Sequence, residues 1–140
     1  MSDPTSALYR DEILDHARHP RNSGRLARPD LTGTASNPLC GDEAQVTLSL
    51  AHGEIGDIRV LVRGCVISQA AGSMISEAVR SKSLEQAAEL GRVFEAVLEG
   101  SRDELPAELV SLNPLVEVRR NRSRIGCVLL PWQALRAAKP

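Results

Sequence analysis

The chain has 140 residues, and its 17 lysines and arginines against 18 aspartates and glutamates leave a net charge of −1, which gives no field to draw it onto nucleic acid. Its only aromatic residues are Tyr9, Phe94 and Trp132, too few for a base-stacking platform, and no apolar run approaches the ~18–20 residues of a membrane span. The odd count of 3 cysteines and the lack of an apolar leader in residues 1–20 argue against a disulfide framework. They indicate a cytoplasmic protein with reactive thiols or metal ligands.

The first half of the chain predicts one helix followed by a small sheet. Apolar residues at helical spacing predict a helix over residues 4–18, which must end before Pro20. Residues 31–36 form a weak strand candidate, and strict alternation predicts two half-buried strands over residues 45–50 and 58–63. Two glycines within residues 53–57 indicate a hairpin loop between those strands.

The second half changes to a helical period. A helix is expected just after Cys65, with Ser68 as a candidate cap, and a capping box at Ser83 opens another that ends at Gly100. A second box, Ser101 with Glu104, opens a segment whose leucines at 105, 109 and 112 face the core. Pro131 is tolerated best in a first turn, so the last helix is expected to begin just after Cys127. Residues 1–140 are therefore predicted to form one α+β domain, with a small antiparallel sheet of about three strands packed on helices.

Each cysteine has a glycine beside it, in the pairs Cys40-Gly41, Gly64-Cys65 and Gly126-Cys127. Glycine lets the backbone bend closely around a shared point, so this repeated pairing favours a common site for the three sulfurs. Two of the cysteines, at 65 and 127, are also expected at helix N-termini, where the amide groups favour thiolate over thiol.

A fourth ligand would complete a tetrahedral site, and Asp42 lies two residues from Cys40. The predicted ligand set is Cys40, Asp42, Cys65 and Cys127, with zinc as the first choice and iron as the rival for the same soft sulfurs. Spacing alone also fits three small buried cysteines and an aspartate that caps a turn.

The remaining candidates are histidines and arginines. The three histidines, at positions 16, 19 and 52, are weaker ligand candidates than the cysteines. Arg119, Arg120, Arg122 and Arg124 form a basic patch that is either a solvated turn or a surface for an acidic partner, with Arg124 nearest to the predicted metal.

Taken together, the motifs resemble the SufU branch of the NifU/IscU iron–sulfur cluster assembly family. The resemblance is carried by Asn37-Pro38-Leu39-Cys40-Gly41-Asp42, by Gly64-Cys65-Val66-Ile67-Ser68-Gln69-Ala70 and by Arg124-Ile125-Gly126-Cys127, with Pro20-Arg21-Asn22 and Trp132 nearer the ends. It implies an α+β fold and a zinc held by Cys40, Asp42, Cys65 and Cys127. It also implies a pyridoxal-phosphate-dependent cysteine desulfurase of the SufS type as partner.

The resemblance distinguishes two branches of the family. IscU-type scaffolds carry a histidine just before the third cysteine, where this chain has Gly126, and they lack the longer stretch that includes residues 101–114. The zinc-binding sulfurtransferase type is therefore expected, with Cys40 as the acceptor of persulfide sulfur and a downstream iron–sulfur scaffold as recipient. Two alternatives stay open, namely a scaffold that binds iron or a cluster on the same ligands, and a structural zinc protein.

Overall fold

The computed structural model describes residues 4–140, with side chains from residue 9 onward. The described residues form five α-helices, three strands and two short 3-10 helices, the last two at Ala107–Leu112 and Glu117–Arg120. The bounds are α1 Pro4–Arg18, β1 Leu31–Asn37, β2 Asp42–Ala51, β3 Glu54–Arg63, α2 Val66–Val79, α3 Leu84–Glu99, α4 Asn113–Val116 and α5 Arg122–Arg136. The predicted α+β class is confirmed.

The strands form one antiparallel sheet in the order β1-β2-β3. The weak strand candidate is real, and β2 and β3 both run longer than the alternation predicts. The loop between them is only His52-Gly53, because both residues adopt positive φ, at 54° and 79°, as a two-residue hairpin turn requires. The expected loop over residues 53–57 is therefore mostly strand.

Three boundaries of α2 and α3 agree with the sequence prediction, and one predicted cap does not. Cys65 is the N-cap of α2, and the capping box of α3 forms, with the Gln86 N–H donating to the Ser83 hydroxyl over 3.1 Å. Gly100 ends α3 in the left-handed conformation, as predicted. Ser68 does not cap α2, because it lies inside the first turn and its hydroxyl is directed to Asp42.

The segment after α3 differs from its prediction. The second capping box does not form, because the Ser101 hydroxyl donates back to the Ala96 carbonyl over 3.2 Å and so finishes α3. The following residues instead build a 3-10 helix that buries Leu109 and Leu112 completely, while Leu105 is partly buried against the core. The leucines therefore face the core as expected, on a different kind of helix.

The start of the last helix is the largest correction. Asn121 caps α5, where its side-chain oxygen accepts from the Ser123 N–H over 3.3 Å, so the helix begins five residues before Cys127. Pro131 lies inside this helix. A proline there has no N–H for the carbonyl four residues earlier, which is that of Cys127. Cys127 is consequently a mid-helix residue, and the prediction that it lies at a helix N-terminus was wrong.

The helices cover one face of the sheet and enclose an aliphatic core. Apolar side chains of β2 and β3 pack there against α2 and α5. The largest completely buried side chains of this core include Leu48 and Ile58 from the strands and Phe94 and Leu130 from the helices. Phe94 and Trp132 contact each other with ring centroids 6.0 Å apart. Among the described residues, no helix is both long and apolar enough to cross a membrane.

Candidate metal centre

Cys40 lies at the exposed tip of the turn between β1 and β2. The turn closes because the N–H groups of Cys40 and Gly41 both donate to the Asn37 carbonyl, over 3.3 and 2.8 Å. Gly41 has φ 74°, a conformation that glycine adopts without strain. This geometry leads the chain into β2 and leaves Cys40 exposed.

Asp42 is the first residue of β2, and it is buried, with 6% of its surface exposed. Its Oδ2 accepts from the Cys65 backbone N–H over 3.3 Å and from the Ser68 hydroxyl over 3.0 Å. Burial alone would raise the pKa of Asp42, but these hydrogen bonds outweigh it and hold the pKa below the usual value. The carboxylate is therefore charged and oriented in the metal-free chain.

Cys65 lies at the junction of β3 and α2, where it caps the helix. Its Sγ is 3.6 Å from the Ser68 Oγ and half-buried. The helix N-terminus supplies partial positive charge at this position, as the sequence predicts.

Cys127 reaches the same region from the middle of α5, and only 1% of its surface is exposed. Burial, followed by the neighbouring thiols of Cys65 and Cys40, raises the pKa of Cys127 to about 12. The expected thiolate at a helix N-terminus is thus replaced by a protonated, enclosed thiol. A cation between these groups would reverse that effect by favouring the thiolate.

The folded chain brings three of the four predicted ligands together. Ligand atoms of Cys40, Asp42 and Cys127 all lie within 4.8 Å of one another, and the Sγ atoms of Cys40 and Cys127 are 3.8 Å apart. Two thiolates held ~2.3 Å from one tetrahedral zinc stand about 3.8 Å apart, so this sulfur pair fits zinc without rearrangement. Cys65 borders the group through its contacts with Asp42 and Ser68.

The glycines beside the cysteines provide room for this approach. A Cβ at Gly64 would overlap the Asp42 carboxyl group, with both oxygens only 2.7 Å away. A Cβ at Gly126 would lie 2.8 Å from the Asn37 side-chain nitrogen, where α5 passes the end of β1. Glycine is therefore favoured by sterics next to Cys65 and Cys127, whereas Gly41 next to Cys40 meets no neighbour and is favoured by its positive φ.

The histidines play other roles in the described part of the chain. His16 Nδ1 lies 2.7 Å from the Ser73 hydroxyl, which ties α1 to α2. Desolvation by burial, followed by the charge of Arg21, lowers the pKa of His16. His52 forms the β2–β3 turn, and His19 follows the end of α1 with its surface exposed.

The basic patch is divided between structural and solvent-facing residues. Arg119 donates to the Val97 carbonyl over 3.4 Å at the end of α3, and Arg120 pairs with Glu117 over 3.5 Å. Arg124 lies exposed on the first turn of α5, three residues before Cys127. Its part in partner binding stays a prediction.

Sequence reasoning missed the role of Ser68 and the contact of Asn37 with α5. The signal for Ser68 is its place three residues after Cys65, which brings its hydroxyl near the N-terminal end of α2. For Asn37 the only signal is Gly126, 89 positions further along the sequence.

The chain matches a known family model over more than half of its length. The family model described as the NifU-like N terminal domain matches residues 8–113. This range contains Cys40, Asp42 and Cys65 and ends before Cys127.

Two curated proteins and one solved structure are similar over most of the chain. The zinc-dependent sulfurtransferase SufU of Bacillus subtilis (strain 168) is 33% identical over 128 residues, which cover 91% of this chain and 86% of that protein. The iron–sulfur cluster assembly scaffold protein IscU of Streptococcus pyogenes serotype M1 is 34% identical over 131 residues, with 94% and 82% covered. A crystal structure from Fervidobacterium islandicum AW-1, described as a candidate iron–sulfur cluster assembly scaffold for the SUF system, superposes with a TM-score of 0.81 at 25% identity, covering 90% and 92%.

Proposed function

The chain belongs to the family of the NifU-like N terminal domain, the iron–sulfur cluster assembly family that includes SufU and IscU, and from that premise we propose that it is a zinc-dependent sulfur acceptor. Its donor would be a pyridoxal-phosphate-dependent cysteine desulfurase of the SufS type, and its recipient a downstream iron–sulfur scaffold. The observation that carries the proposal is the convergence of two thiols and a carboxylate within 4.8 Å, with the Cys40 thiol exposed. The cytoplasm is the proposed compartment, because its reducing conditions keep the three thiols free.

Zinc would be held by Cys40, Asp42, Cys65 and Cys127. The 3.8 Å separation of the Cys40 and Cys127 sulfurs and the ionised Asp42 support this set. Cys65 joins it on the family resemblance and on its place beside Asp42. When bound, zinc supplies the charge that keeps these thiols deprotonated at neutral pH.

Cys40 is the proposed sulfur acceptor because it alone combines exposure with a place in the centre. Its thiolate attacks the outer sulfur of the desulfurase persulfide and forms a new S–S bond to that atom. The bond from the outer sulfur to the desulfurase cysteine breaks, and that cysteine leaves as a thiolate. Leu39, with 95% of its surface exposed beside Cys40, offers the partner an apolar contact. Cys127 is enclosed and plays no direct part in this exchange.

A persulfide-transfer assay tests the proposal. The zinc-loaded protein is incubated with a SufS-type desulfurase and cysteine, and sulfur bound to Cys40 is measured by mass spectrometry. Cys40→Ser is expected to abolish the added sulfur, whereas Ser36→Ala, an exposed neighbour on β1, leaves it unchanged. Equal sulfur acceptance by Cys40→Ser would contradict the assignment.

Assembly of an iron–sulfur cluster on the same ligands is the second candidate function. The similarity to IscU of Streptococcus pyogenes favours it, as does the affinity of thiolates for iron. Metal analysis and visible spectroscopy separate the two. One zinc per colourless chain supports sulfur transfer, and a stable coloured cluster after anaerobic reconstitution supports the scaffold.

Arg124 is the proposed contact for an acidic surface of the desulfurase. It lies exposed near the centre, in contrast to Arg119, whose side chain is bound to the α3 carboxyl end. Reversing its charge with Arg124→Glu should weaken desulfurase binding at low salt, as measured by titration calorimetry. The matched control Arg102→Glu, in the segment after α3, should leave desulfurase binding unchanged. Unchanged binding by Arg124→Glu as well would show that Arg124 is not part of the interface.

A further inference from the structure

Ser68 is a completely buried polar residue in the first turn of α2, with 0% of its surface exposed. Its Oγ lies 3.0 Å from the Asp42 Oδ2 and 3.0 Å from the Cys65 carbonyl oxygen. A hydroxyl has one proton to donate. The carboxylate is the stronger acceptor because it is charged, so the Ser68 hydroxyl donates its hydrogen bond to Asp42 Oδ2.

The two carboxylate oxygens of Asp42 therefore differ in the hydrogen bonds that they accept. Oδ2 accepts from the Ser68 hydroxyl and from the Cys65 N–H, and Oδ1 accepts from neither of these donors. On the other side the carboxyl group packs against the Gly64 backbone, where a Cβ would lie 2.7 Å from both oxygens. The carboxylate is thus fixed between a strand end and a helix start.

We propose that Ser68 is a positioning residue of the metal centre, which holds Oδ2 so that Asp42 offers Oδ1 alone to the metal. This inference rests on the proposed function, because it needs a metal at the centre. A carboxylate that binds through one oxygen completes a four-coordinate site with three thiolates, whereas one that binds through both adds a fifth donor. Together with the Cys65 N–H, Ser68 would therefore keep Asp42 to a single donor atom.

The test compares Ser68→Ala with Ser76→Ala. Ser76 is the matched control, because it is also completely buried on α2, and its hydroxyl bonds to the Ser73 and Arg21 carbonyls rather than to the centre. Zinc affinity is measured by competition with a chromogenic chelator. Removal of a residue that orients a metal ligand weakens metal binding by about 10–100-fold, which is the loss expected for Ser68→Ala and not for Ser76→Ala.

A spectroscopic readout separates positioning from a general loss of structure. Each variant is loaded with cobalt(II), whose visible bands report coordination number, and the melting temperature is measured without metal. Ser68→Ala should change the cobalt bands, and Ser76→Ala should keep those of the wild type even where it melts earlier. Wild-type affinity and wild-type bands in Ser68→Ala would overturn the inference.

The zinc-loaded wild-type protein provides a test that does not depend on the folding of a variant. Its crystal structure should show Oδ1 on the metal and Oδ2 still bonded to Ser68. Both oxygens on the metal, or a metal without Asp42, would overturn the positioning role and leave the proposed function standing. Failure of the wild type to bind zinc would overturn both.

Discussion

The three cysteines differ in exposure, and this difference separates their chemistry. Cys40 is exposed, Cys65 is half-buried and Cys127 is buried. Burial and the nearby thiols raise the pKa of Cys127 to about 12, so this residue carries its proton at neutral pH in the metal-free chain. Metal binding must displace that proton.

Zinc binding is therefore expected to release protons and to tighten as the pH rises. For each thiol proton displaced, the apparent affinity should increase ~tenfold per pH unit between about pH 6 and 8. Calorimetry in buffers of different ionisation enthalpy measures the released protons, and Cys127→Ser should release fewer. An affinity that is independent of pH over this range would contradict the protonated state of Cys127.

Gly64→Ala should weaken zinc binding severely. The added Cβ would overlap the Asp42 carboxyl group, so the carboxylate must leave the position in which Ser68 and the Cys65 N–H hold it. Overpacking of this kind also costs about 1–3 kcal/mol of stability.

Gly56→Ala, on β3, is the control, because its Cβ would come no closer than 3.3 Å to any atom, the nearest being the Ala51 Cβ. Chelator competition and denaturant unfolding of both variants measure the two effects. Zinc binding by Gly64→Ala at the wild-type affinity would show that the Asp42 position is dispensable.

For single residues, the sequence predicts contacts between neighbours in the chain and misses contacts between residues that are far apart in it. Cys40 and Asp42 are two residues apart, and Cys65 marks the change from strand to helical period. The local structure around these residues can therefore be predicted from the sequence. The hydroxyl of Ser68 has a local role available as a helix cap. It instead bonds to a carboxylate 26 positions earlier in the chain, a contact that arises because β2 pairs with β3 and β3 leads into α2.

Among the elements, α5 shows how a strong local rule can mislead. Proline is best tolerated in a first helical turn, and that rule places the helix start near Cys127. The actual start is set by Asn121, whose side chain accepts from the Ser123 N–H. Pro131 is accommodated in the interior at the loss of one backbone hydrogen bond, because buried apolar contacts along α5 outweigh it.

The contact of α5 with β1 predicts the effect of Gly33→Ala. Gly33 is buried on β1, and a Cβ there would overlap the Ala134 carbonyl and lie 2.7 Å from the Ala138 nitrogen. Because these are backbone atoms, α5 must shift away from the sheet. We expect a loss of about 1–3 kcal/mol in the free energy of unfolding, together with weaker zinc binding as Cys127 moves.

Thr34→Ala, on the opposite and exposed face of β1, should change neither quantity by more than a few tenths of a kcal/mol. Chemical denaturation and chelator competition provide the measurements. Equal stability of Gly33→Ala and the wild type would show that the α5 contact is not close-packed.

For the molecule as a whole, the centre connects segments that are far apart in the chain. Cys40 and Cys127 are 87 positions apart, and they belong to the β1–β2 turn and to α5. The periodicity of single segments predicts the strands and most helices, but it contains no information on which helix crosses which strand. The glycine beside each cysteine is the sequence feature that indicates that these segments come together at one centre.

Metal removal should therefore lower the stability of the entire fold. A ligand that binds only the folded state, present at 100 times its Kd, stabilises by about 2.7 kcal/mol. Melting of the zinc-loaded protein with and without a chelator measures this difference. Cys127→Ser, which loses one of the proposed ligands, should show a smaller difference between the two conditions than the wild type. A chelator-insensitive wild type would argue against a metal that joins the segments.

The graded exposure of the three sulfurs also has a practical consequence for labelling. A bulky maleimide should react first with Cys40 in the metal-free protein, because Cys65 is half-buried and Cys127 is buried. One fluorophore can therefore be attached at the tip of the β1–β2 turn without engineering a new cysteine or deleting an old one. A change in its fluorescence would then report the binding of the proposed desulfurase partner near Cys40.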